Sequence, residues 1–500
     1  MLKRNLIANY LGQGWAAVMG LAFIPVYIKY LGVESFGLIG LFGVLQAWLS
    51  LLDMGMTPTL SREMACFTAG TRSVAAIRDL LRSIEVVAVA VAVMIAAGVG
   101  FSATWLATSW LQAEKLPVSV VAQAFVIMGA VTALRFIEGI YRSSITGLQR
   151  QVLLNVLSSA MATIRGFGAV GILIWVSPTI EAFFLWQGLT ALTSLVILAL
   201  ATYAGLPNAE RGGKFSIAAL RSVWRFAGGM FGITLLSLLL MQVDKIVLSK
   251  ILSLSEYGYY MLAATIAGAL YVVVFPIGQA WFPRLSELHA KHDQPGFIST
   301  YHQGSQLVSV TLGSAAVVLI VFAEQILHLW TRDAELAHRT ATLVSLLALG
   351  NLLNGLMWIP YHAQLAHGWT GLTTRINIIA VLIIVPAVFW VAPRYGAEGA
   401  AWTWVGLNAG YVLIGVHFMF RKILQTEKWH WYKNDLVKPL SAAAITAMLV
   451  DKLVPAGQFS VFAQLLIFGA TGGVVLISAG IAAPLVRRRM LALITQLKLF

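Results

Sequence analysis

The chain has 500 residues, of which 59% are hydrophobic and 11% are charged, and its net charge is +14. A soluble globular protein carries roughly 25% charged residues, so this composition excludes a soluble fold, and its high hydrophobicity excludes intrinsic disorder. The one cysteine, Cys66, excludes a disulfide scaffold. The composition therefore predicts a membrane protein with many spans.

Apolar stretches of about 20 residues recur along the whole chain, and they do not alternate over about 10 residues as barrel strands do. They predict an all-α polytopic fold with about 14 transmembrane helices (about 12–14). Span 13 is short, which leaves open a count of twelve with re-entrant or peripheral C-terminal segments. Pro25 predicts a bend in span 1. The predicted spans, in chain order, are 6–31, 38–60, 85–110, 118–139, 152–175, 181–204, 224–249, 258–282, 304–328, 341–365, 372–392, 398–420, 437–454 and 461–484.

The charges of the loops predict the orientation of the chain. With the N-terminus placed inside, 23 of the 34 Lys and Arg residues fall on the cytoplasmic side and 8 on the other. This asymmetry predicts that both termini lie in the cytoplasm, and it explains most of the net charge without nucleic acid as a partner. No Walker, zinc-finger, nucleophile-elbow or Rossmann motif occurs in the sequence. The chain is therefore predicted to be a transporter without a cofactor or nucleotide hydrolysis, not an enzyme.

A shift of 221 residues aligns two segments of the chain. It places Phe36-Gly37 on Tyr257-Gly258, within the matched segments "IKYLGVESFGLIG" and "LSKILSLSEYGYY". The shift moves span 1 onto span 7, and because six helices is an even number the two halves would be parallel repeats. Chance similarity between amphipathic segments is the alternative. The predicted regions are an N-terminal lobe (1–210), a C-terminal lobe (211–425) and two further helices with a basic tail (426–500).

Several segments carry a family resemblance. They include "NLIANYLGQGWAAVMGLAFIPVYIKYLGVESFGLIGL" near the N-terminus and "LLDMGMTPTLSREMA", in which Asp53, Gly55 and Arg62 fit a Leu-Asp-x-Gly-x-x-x-x-x-x-Arg pattern. The segments "SPTIEAFFLWQ", "VDKIVLSKILSLSEYGYYMLA" and "FPIGQAWFPRLSEL" continue it. Together they resemble the Wzx-type O-antigen and oligosaccharide flippases of the multidrug/oligosaccharidyl-lipid/polysaccharide exporter superfamily. The resemblance covers about residues 1–300, and the remainder by helix pattern only.

The resemblance implies two six-helix lobes in a V-shaped arrangement around a central cavity, with alternating access. It implies a polyprenyl-pyrophosphate-linked oligosaccharide as substrate and a bacterial inner-membrane location, and it allows a polysaccharide polymerase and chain-length machinery as partners besides membrane lipids. H⁺ or Na⁺ is the candidate coupling ion. Three alternatives stay open: a cation-coupled multidrug exporter, a peptidoglycan lipid-precursor flippase, and a membrane-embedded glycan polymerase or ligase. A glycan polymerase or ligase would be expected to carry a large periplasmic loop with catalytic basic residues. The longest outer connection, 329–340, has only about 12 residues, which argues against this alternative.

Arginines inside the predicted spans are candidate substrate contacts. An Arg at the bilayer centre costs about 2.5–3.5 kcal/mol on translocon scales, so such residues usually face a cavity or a partner. Arg165 lies near the middle of span 5 with no acid within four residues. It is predicted to meet an anionic head group in the cavity, and an inter-helix salt bridge is the alternative.

Arg135 and Glu138 lie three residues apart on one face of span 4, and Arg142 extends that face by one turn. Because Arg can hold phosphate bidentately, Arg135 is a second candidate substrate contact, and Glu138 is a candidate for ion coupling or gating. The alternative is an intrahelical pair that lowers the cost of both charges.

Asp244 and Lys245 lie late in span 7. Because neighbouring helix residues point about 100° apart, we expect that they do not pair with each other. Asp244 is a candidate H⁺ or Na⁺ site, and Lys245 is a candidate substrate contact. A salt bridge at an outer gate is the alternative.

The remaining candidates lie towards the inner ends of spans. Asp53, with Gly55 behind it, predicts a kinked helix end anchored near Arg62, with a structural or gating role. Arg375 is a candidate phosphate contact in the second lobe or an interfacial anchor. In span 10, Asn351 and Asn354 share a face suited to sugar hydroxyls or to interhelical hydrogen bonds.

Overall fold

The computed structural model describes residues 2–207, 212–453 and 460–497, which fold almost entirely into helices. These residues contain no β-strand, and the extended pairing found in them is an isolated bridge between Gln112 and Ser253. The predicted all-α fold class is therefore confirmed.

The helices are named here in chain order. Their bounds are α1 Leu2–Ala22, α2 Ile24–Leu49, α3 Met56–Thr68, α4 Val74–Trp105, α5 Val118–Gly147, α6 Gln151–Trp175, α7 Ile180–Tyr203, α8 Ile217–Ile251, α9 Leu254–Gly268, α10 Leu270–Ala290, α11 Gln294–Val321, α12 Ala323–Thr331, α13 Ala334–Leu356, α14 Trp358–Ala366, α15 Thr370–Gly410, α16 Val416–Lys422, α17 Lys428–His430, α18 Lys438–Leu453, α19 Val461–Ala482 and α20 Pro484–Leu497.

Ten helical stretches in the described part of the chain are long and apolar enough to cross a membrane. One of them, Gly371–Lys422, contains predicted spans 11 and 12 together. Predicted span 1 covers most of α1 and the first turns of α2, and predicted spans 7 and 13 correspond to α8 and α18. The helices α1, α8 and α18 are not among the ten, and α18 has only 16 residues. The polytopic character is confirmed, and the number fourteen stays a prediction.

The long helices are interrupted at specific residues. Phe23 separates α1 from α2, and Pro25 stands in the first turn of α2, where a missing N–H group costs no hydrogen bond. The helix of span 1 is thus interrupted next to Pro25, where the sequence predicts a bend. Gly32 (φ 80°, ψ 165°) breaks α2 and Gly396 (φ 59°, ψ −144°) breaks α15. Both have positive φ values that glycine adopts without the steric cost of a Cβ atom.

The described residues divide into two compact units, unit 1 (Met1–Gly258) and unit 2 (Tyr259–Phe500). In unit 1, α5 packs between α4 and α7, and α1 packs along α6. Unit 1 extends past the predicted lobe boundary at 210 because α8 packs on α2, α3 and α4. The predicted division into two six-helix lobes (1–210 and 211–425) and a C-terminal region (426–500) therefore stays a prediction.

A reciprocal contact in unit 1 joins the two segments that the 221-residue shift aligns. A Cβ atom on Gly37 would lie 2.6 Å from the carbonyl oxygen of Leu254, and one on Gly258 would lie 2.3 Å from that of Val33. The shift maps Val33 onto Leu254 and Gly37 onto Gly258. Glycine at both positions permits this close approach, and the reciprocity is what a twofold-related repeat would produce.

Unit 2 is organised around α11, which packs against α10, α13, α18 and α19. Five polar residues of unit 2 form a hydrogen-bonded group that we call the asparagine layer. The Tyr271 hydroxyl donates to Asn351 Oδ1 (3.3 Å) and Asn354 Oδ1 (3.1 Å). Trp404 Nε1 donates to Asn351 Oδ1 (2.9 Å), and Asn354 Nδ2 donates to Asn408 Oδ1 (2.8 Å). These bonds join α10, α13 and α15, so Asn351 and Asn354 serve as interhelical hydrogen-bonding groups.

Candidate anion-binding site

The Arg135 guanidinium on α5 is held by neutral groups from two other helices. Its Nη1 donates to Gln46 Oε1 on α2 (3.1 Å), and its Nη2 donates to Gln187 Oε1 on α7 (2.9 Å). The guanidinium carbon lies 5.3 Å from the centroid of the Phe42 ring, within cation–π range. These contacts fix the direction of the guanidinium but leave its charge uncompensated.

Arg165 lies on α6, in the middle part of that helix. Its backbone carbonyl accepts a hydrogen bond from Trp186 Nε1 (3.2 Å). Among the described residues, no hydrogen-bond acceptor or carboxylate pairs with its guanidinium, which interacts electrostatically with Arg135 and Glu138 over longer distances. Arg165 therefore has no salt-bridge partner there, and the inter-helix salt bridge considered for it is not found in the described residues.

Two glycines set the position of α6 beside this site. A Cβ atom on Gly166 would lie 2.3 Å from Phe23 Cε2, and one on Gly168 would lie 2.0 Å from Trp186 Cζ2. Side chains at these positions would push away the aromatic rings on either side of Arg165. The glycines thus let α6 pack closely against the helix break at Phe23 and against α7.

Glu138 does not neutralise the two arginines. Its Oε1 atom pairs with Arg142 Nη1 at 3.3 Å, one turn along α5. The predicted alternative of a direct Arg135–Glu138 pair is absent from the described residues, because Arg135 reaches across to α2 and α7 instead. One carboxylate therefore stands near three guanidinium groups, and positive charge is in excess. Arg135 and Arg165 are half-buried in apolar helices, where charge without a partner is costly, so this arrangement favours an anionic ligand.

Asp53 lies in the connection between α2 and α3, three residues before α3 begins. Both carboxylate oxygens accept from the Thr57 backbone N–H (3.1 and 3.2 Å), and Oδ2 also accepts from the Thr57 hydroxyl (2.9 Å). The carboxylate thus caps the first turn of α3, as expected for a kinked helix end. Arg62 is exposed, with Nη1 3.9 Å from Glu63, whose other oxygen pairs with Arg72 at 2.5 Å. A gating role for Asp53 and Arg62 stays a prediction.

Asp244 and Lys245 pair with each other, so the expectation that they do not was wrong. Lys245 Nζ lies 3.4 Å from Asp244 Oδ1 and also donates to the Met241 carbonyl at 2.7 Å. The 100° offset holds for the Cβ directions, but the four-carbon lysine stem bends back towards the preceding turn. Both side chains are half-buried in α8.

Arg375 lies exposed in the first turns of α15. No hydrogen bond or ion pair of its side chain is found among the described residues. It belongs to unit 2, whereas Arg135 and Arg165 lie in unit 1. A role as a phosphate contact or as an interfacial anchor stays a prediction.

The residues that hold Arg135 were not singled out in the sequence. Gln46 and Gln187 are amides inside otherwise apolar spans, and Gln187 is only 6% exposed. An amide inside an apolar membrane helix needs a hydrogen-bond partner, so each glutamine by itself predicts an interhelical hydrogen bond. That both serve the same arginine depends on tertiary packing.

Known proteins resemble this chain along most of its length. A "Putative O-antigen transporter" of Shigella flexneri is 20% identical over 405 residues, which is 80% of this chain and 93% of that protein. The solved structure "Lipid II flippase MurJ, inward closed conformation" has a TM-score of 0.70 at 13% identity, covering 94% of this chain and 97% of that one. An inward-facing multidrug resistance MATE family transporter gives 0.62 at 14% identity, covering 84% and 96%. These structures share the fold.

Two family models match the chain. Residues 230–390 match "MatE", and residues 2–289, more than half of the chain, match "Polysaccharide biosynthesis protein". The family and the fold are those of transporters and not of enzymes. The chain therefore belongs to the polysaccharide biosynthesis protein family of the multidrug/oligosaccharidyl-lipid/polysaccharide exporter superfamily, the family that its sequence segments predicted.

Proposed function

We propose that this protein is a flippase for a polyprenyl-pyrophosphate-linked oligosaccharide, the repeat unit of an O-antigen or a related surface polysaccharide. It moves this lipid from the cytoplasmic to the periplasmic leaflet of the bacterial inner membrane. The observation that carries the proposal is the pair Arg135 and Arg165, two charges in membrane helices of unit 1 without a carboxylate partner in the described residues. The chain's similarity to a putative O-antigen transporter and to a lipid II flippase supports the same substrate class.

The excess positive charge distinguishes this function from export of cationic drugs. A pyrophosphate carries negative charge at neutral pH and offers several acceptor oxygens to the forked guanidinium donors. A site for organic cations would be expected to present carboxylates instead. The one carboxylate near the site, Glu138, is paired with Arg142. The balance of charge therefore favours the lipid-linked glycan over a multidrug substrate.

Energy for translocation would come from an ion gradient or the membrane potential, worth about 2.3 kcal/mol per charge per 100 mV. H⁺ or Na⁺ coupling through Asp244 is the favoured arrangement, with Lys245 as the partner that the ion would replace. Alternating access would then expose the substrate site to each leaflet in turn. Both termini would lie in the cytoplasm, as the loop charges predict.

The test is translocation in proteoliposomes. A polyprenyl-pyrophosphate-linked sugar is supplied, and its arrival in the other leaflet is measured by access of a membrane-impermeant enzyme. Arg135→Ala and Arg165→Ala should each lower the rate about 10–100-fold, since a hydrogen bond to a charged group contributes about 1.5–3 kcal/mol. Arg339→Ala, which removes an exposed arginine paired with Glu335 at 2.8 Å, should leave the rate unchanged.

A wild-type rate in Arg165→Ala would refute the anion-binding role. Comparing glycans separates the remaining substrate alternatives. Faster movement of a peptidoglycan precursor than of an O-antigen unit would reassign the glycan but keep the anion site. Transport of a cationic dye that is insensitive to both arginine variants would instead favour the multidrug function.

A further inference from the structure

Two histidines and an aspartate, side chains of the types that coordinate metal ions, lie close together in unit 2. His302 comes from α11, His430 is the last residue of α17, and Asp435 lies in the helical segment Trp431–Val437 that precedes α18. One ligand atom of each lies within 4.8 Å of those of the other two. We call these three residues the histidine cluster.

The cluster is backed by a second set of polar contacts. His302 Nδ1 faces Asp435 Oδ2, and the opposite ring nitrogen, Nε2, lies 3.1 Å from Glu427 Oε2. Gln306 Nε2 donates to the other Asp435 oxygen, Oδ1, at 2.8 Å. Metal-binding histidines usually donate their second N–H to a carboxylate, and metal-binding carboxylates are usually hydrogen-bonded as well.

Gln306 is itself held in place, because its Oε1 accepts from the backbone N–H of Leu485 at 2.8 Å. The orientation of Asp435 is thus fixed from α20 as well as from α11. A metal ion bound between His302 Nδ1 and Asp435 Oδ2 would take the place of the proton that these two atoms share.

The charge around the cluster favours a cation. Asp435 is 0% exposed and Glu427 is half-buried. Two nearby lysines are engaged elsewhere: Lys428 Nζ bonds to His417 Nδ1 (2.9 Å), and Lys438 Nζ donates to Asn434 Oδ1 (2.6 Å). Two carboxylates, Asp435 and Glu427, face the single imidazole of His302, so even a protonated His302 leaves a net negative charge there.

His430 is the exposed member of the histidine cluster. Its side chain is exposed, and its ring lies 4.5 Å from the ring of His302, centroid to centroid. Within the described residues neither ring nitrogen of His430 has a hydrogen-bond partner. A nitrogen lone pair is thus available at the surface end of the cluster.

We propose that His302, His430 and Asp435 bind a divalent transition-metal ion of the Zn²⁺ class, with water as the fourth ligand. Two imidazoles and one carboxylate suit Zn²⁺ far better than Mg²⁺ or Ca²⁺, which prefer oxygen ligands. Glu427 orients His302, and Gln306 orients Asp435. The bound ion fastens the segment that opens α18 onto α11, so it stabilises the packing of the C-terminal helices within unit 2.

The experiment uses the full-length protein in detergent after chelator treatment. Zn²⁺ alone is titrated, and bound metal is counted by elemental analysis while thermal unfolding is followed. We expect one Zn²⁺ per chain and a raised unfolding midpoint, and Co²⁺ should give the visible spectrum of a tetrahedral site. His430→Ala, at an exposed position that should not disturb folding, should weaken binding at least tenfold.

Two further variants keep the proposal falsifiable. Glu427→Gln should weaken Zn²⁺ binding about 10–100-fold with the 1:1 ratio retained, the usual cost of losing an outer-shell partner. His338→Ala, which removes an exposed histidine paired with Glu324 at 3.2 Å, should bind like the wild type. Absence of bound Zn²⁺, equal binding by His430→Ala, or stabilisation by Mg²⁺ but not Zn²⁺ would each overturn the proposal.

Discussion

Units 1 and 2 both bury polar groups inside membrane helices, but they satisfy them differently. In unit 2 the asparagine layer is closed: its amides, hydroxyl and indole bond to one another. In unit 1 the guanidinium of Arg135 meets neutral amides, and that of Arg165 has no paired acceptor among the described residues. The satisfied layer is explained by helix packing alone, whereas the uncompensated charge of unit 1 calls for a ligand.

Replacing Asn408 should break the closed asparagine layer of unit 2, the largest effect expected here. Asn408→Leu should lower stability by about 1–2 kcal/mol, because it leaves the Nδ2 group of Asn354 buried without its acceptor. Arg165→Met should have no such cost and is expected to raise stability, since it removes a charge with no partner. Unfolding midpoints of both variants in the same detergent check the contrast. A larger loss of stability in Arg165→Met than in Asn408→Leu would contradict it.

The amides of Gln46 and Gln187 orient the Arg135 guanidinium. Replacing Gln46 and Gln187 together by Leu should raise the apparent KM for the lipid-linked glycan about tenfold, equivalent to about 1.4 kcal/mol. The charge remains, but its direction is no longer fixed. Gln112→Leu, at an amide of unit 1 that donates to the Lys250 carbonyl, is the matched control. An unchanged KM in the double variant would show that Arg135 needs no positioning.

Neutralising Glu138 tests the charge balance around the arginines and should change affinity the least of the three substitutions. Glu138→Gln should increase affinity for the anionic substrate a few-fold, about 0.5–1 kcal/mol, because Arg142 is then released from its ion pair and the nearby negative charge is gone. The gain should shrink at high salt. Lower affinity, at equal protein stability, would instead indicate that Glu138 takes part in coupling.

The sequence predicted the fold class, placed a bend next to Pro25, where the helix is interrupted, and placed Arg135 and Arg165 within long apolar helices. Each of these depends on composition or on local chain geometry. It did not predict that Gln46 and Gln187 converge on Arg135, since these amides come from helices that meet only in the folded unit. The histidine cluster was missed for the same reason, because His302 lies 128 and 133 positions before His430 and Asp435 in the chain. The pairing of Asp244 with Lys245 was missed because a Cβ direction does not determine where a flexible lysine ends.

Binding of head groups with graded charge tests the central claim most directly. Polyprenyl pyrophosphate, polyprenyl monophosphate and the uncharged polyprenol are titrated against the purified wild type and the Arg135→Ala/Arg165→Ala double variant. The account predicts that affinity falls from pyrophosphate to monophosphate to alcohol in the wild type and that this order disappears in the double variant. Equal binding of all three lipids by the wild type, or the same order in the double variant, would contradict it.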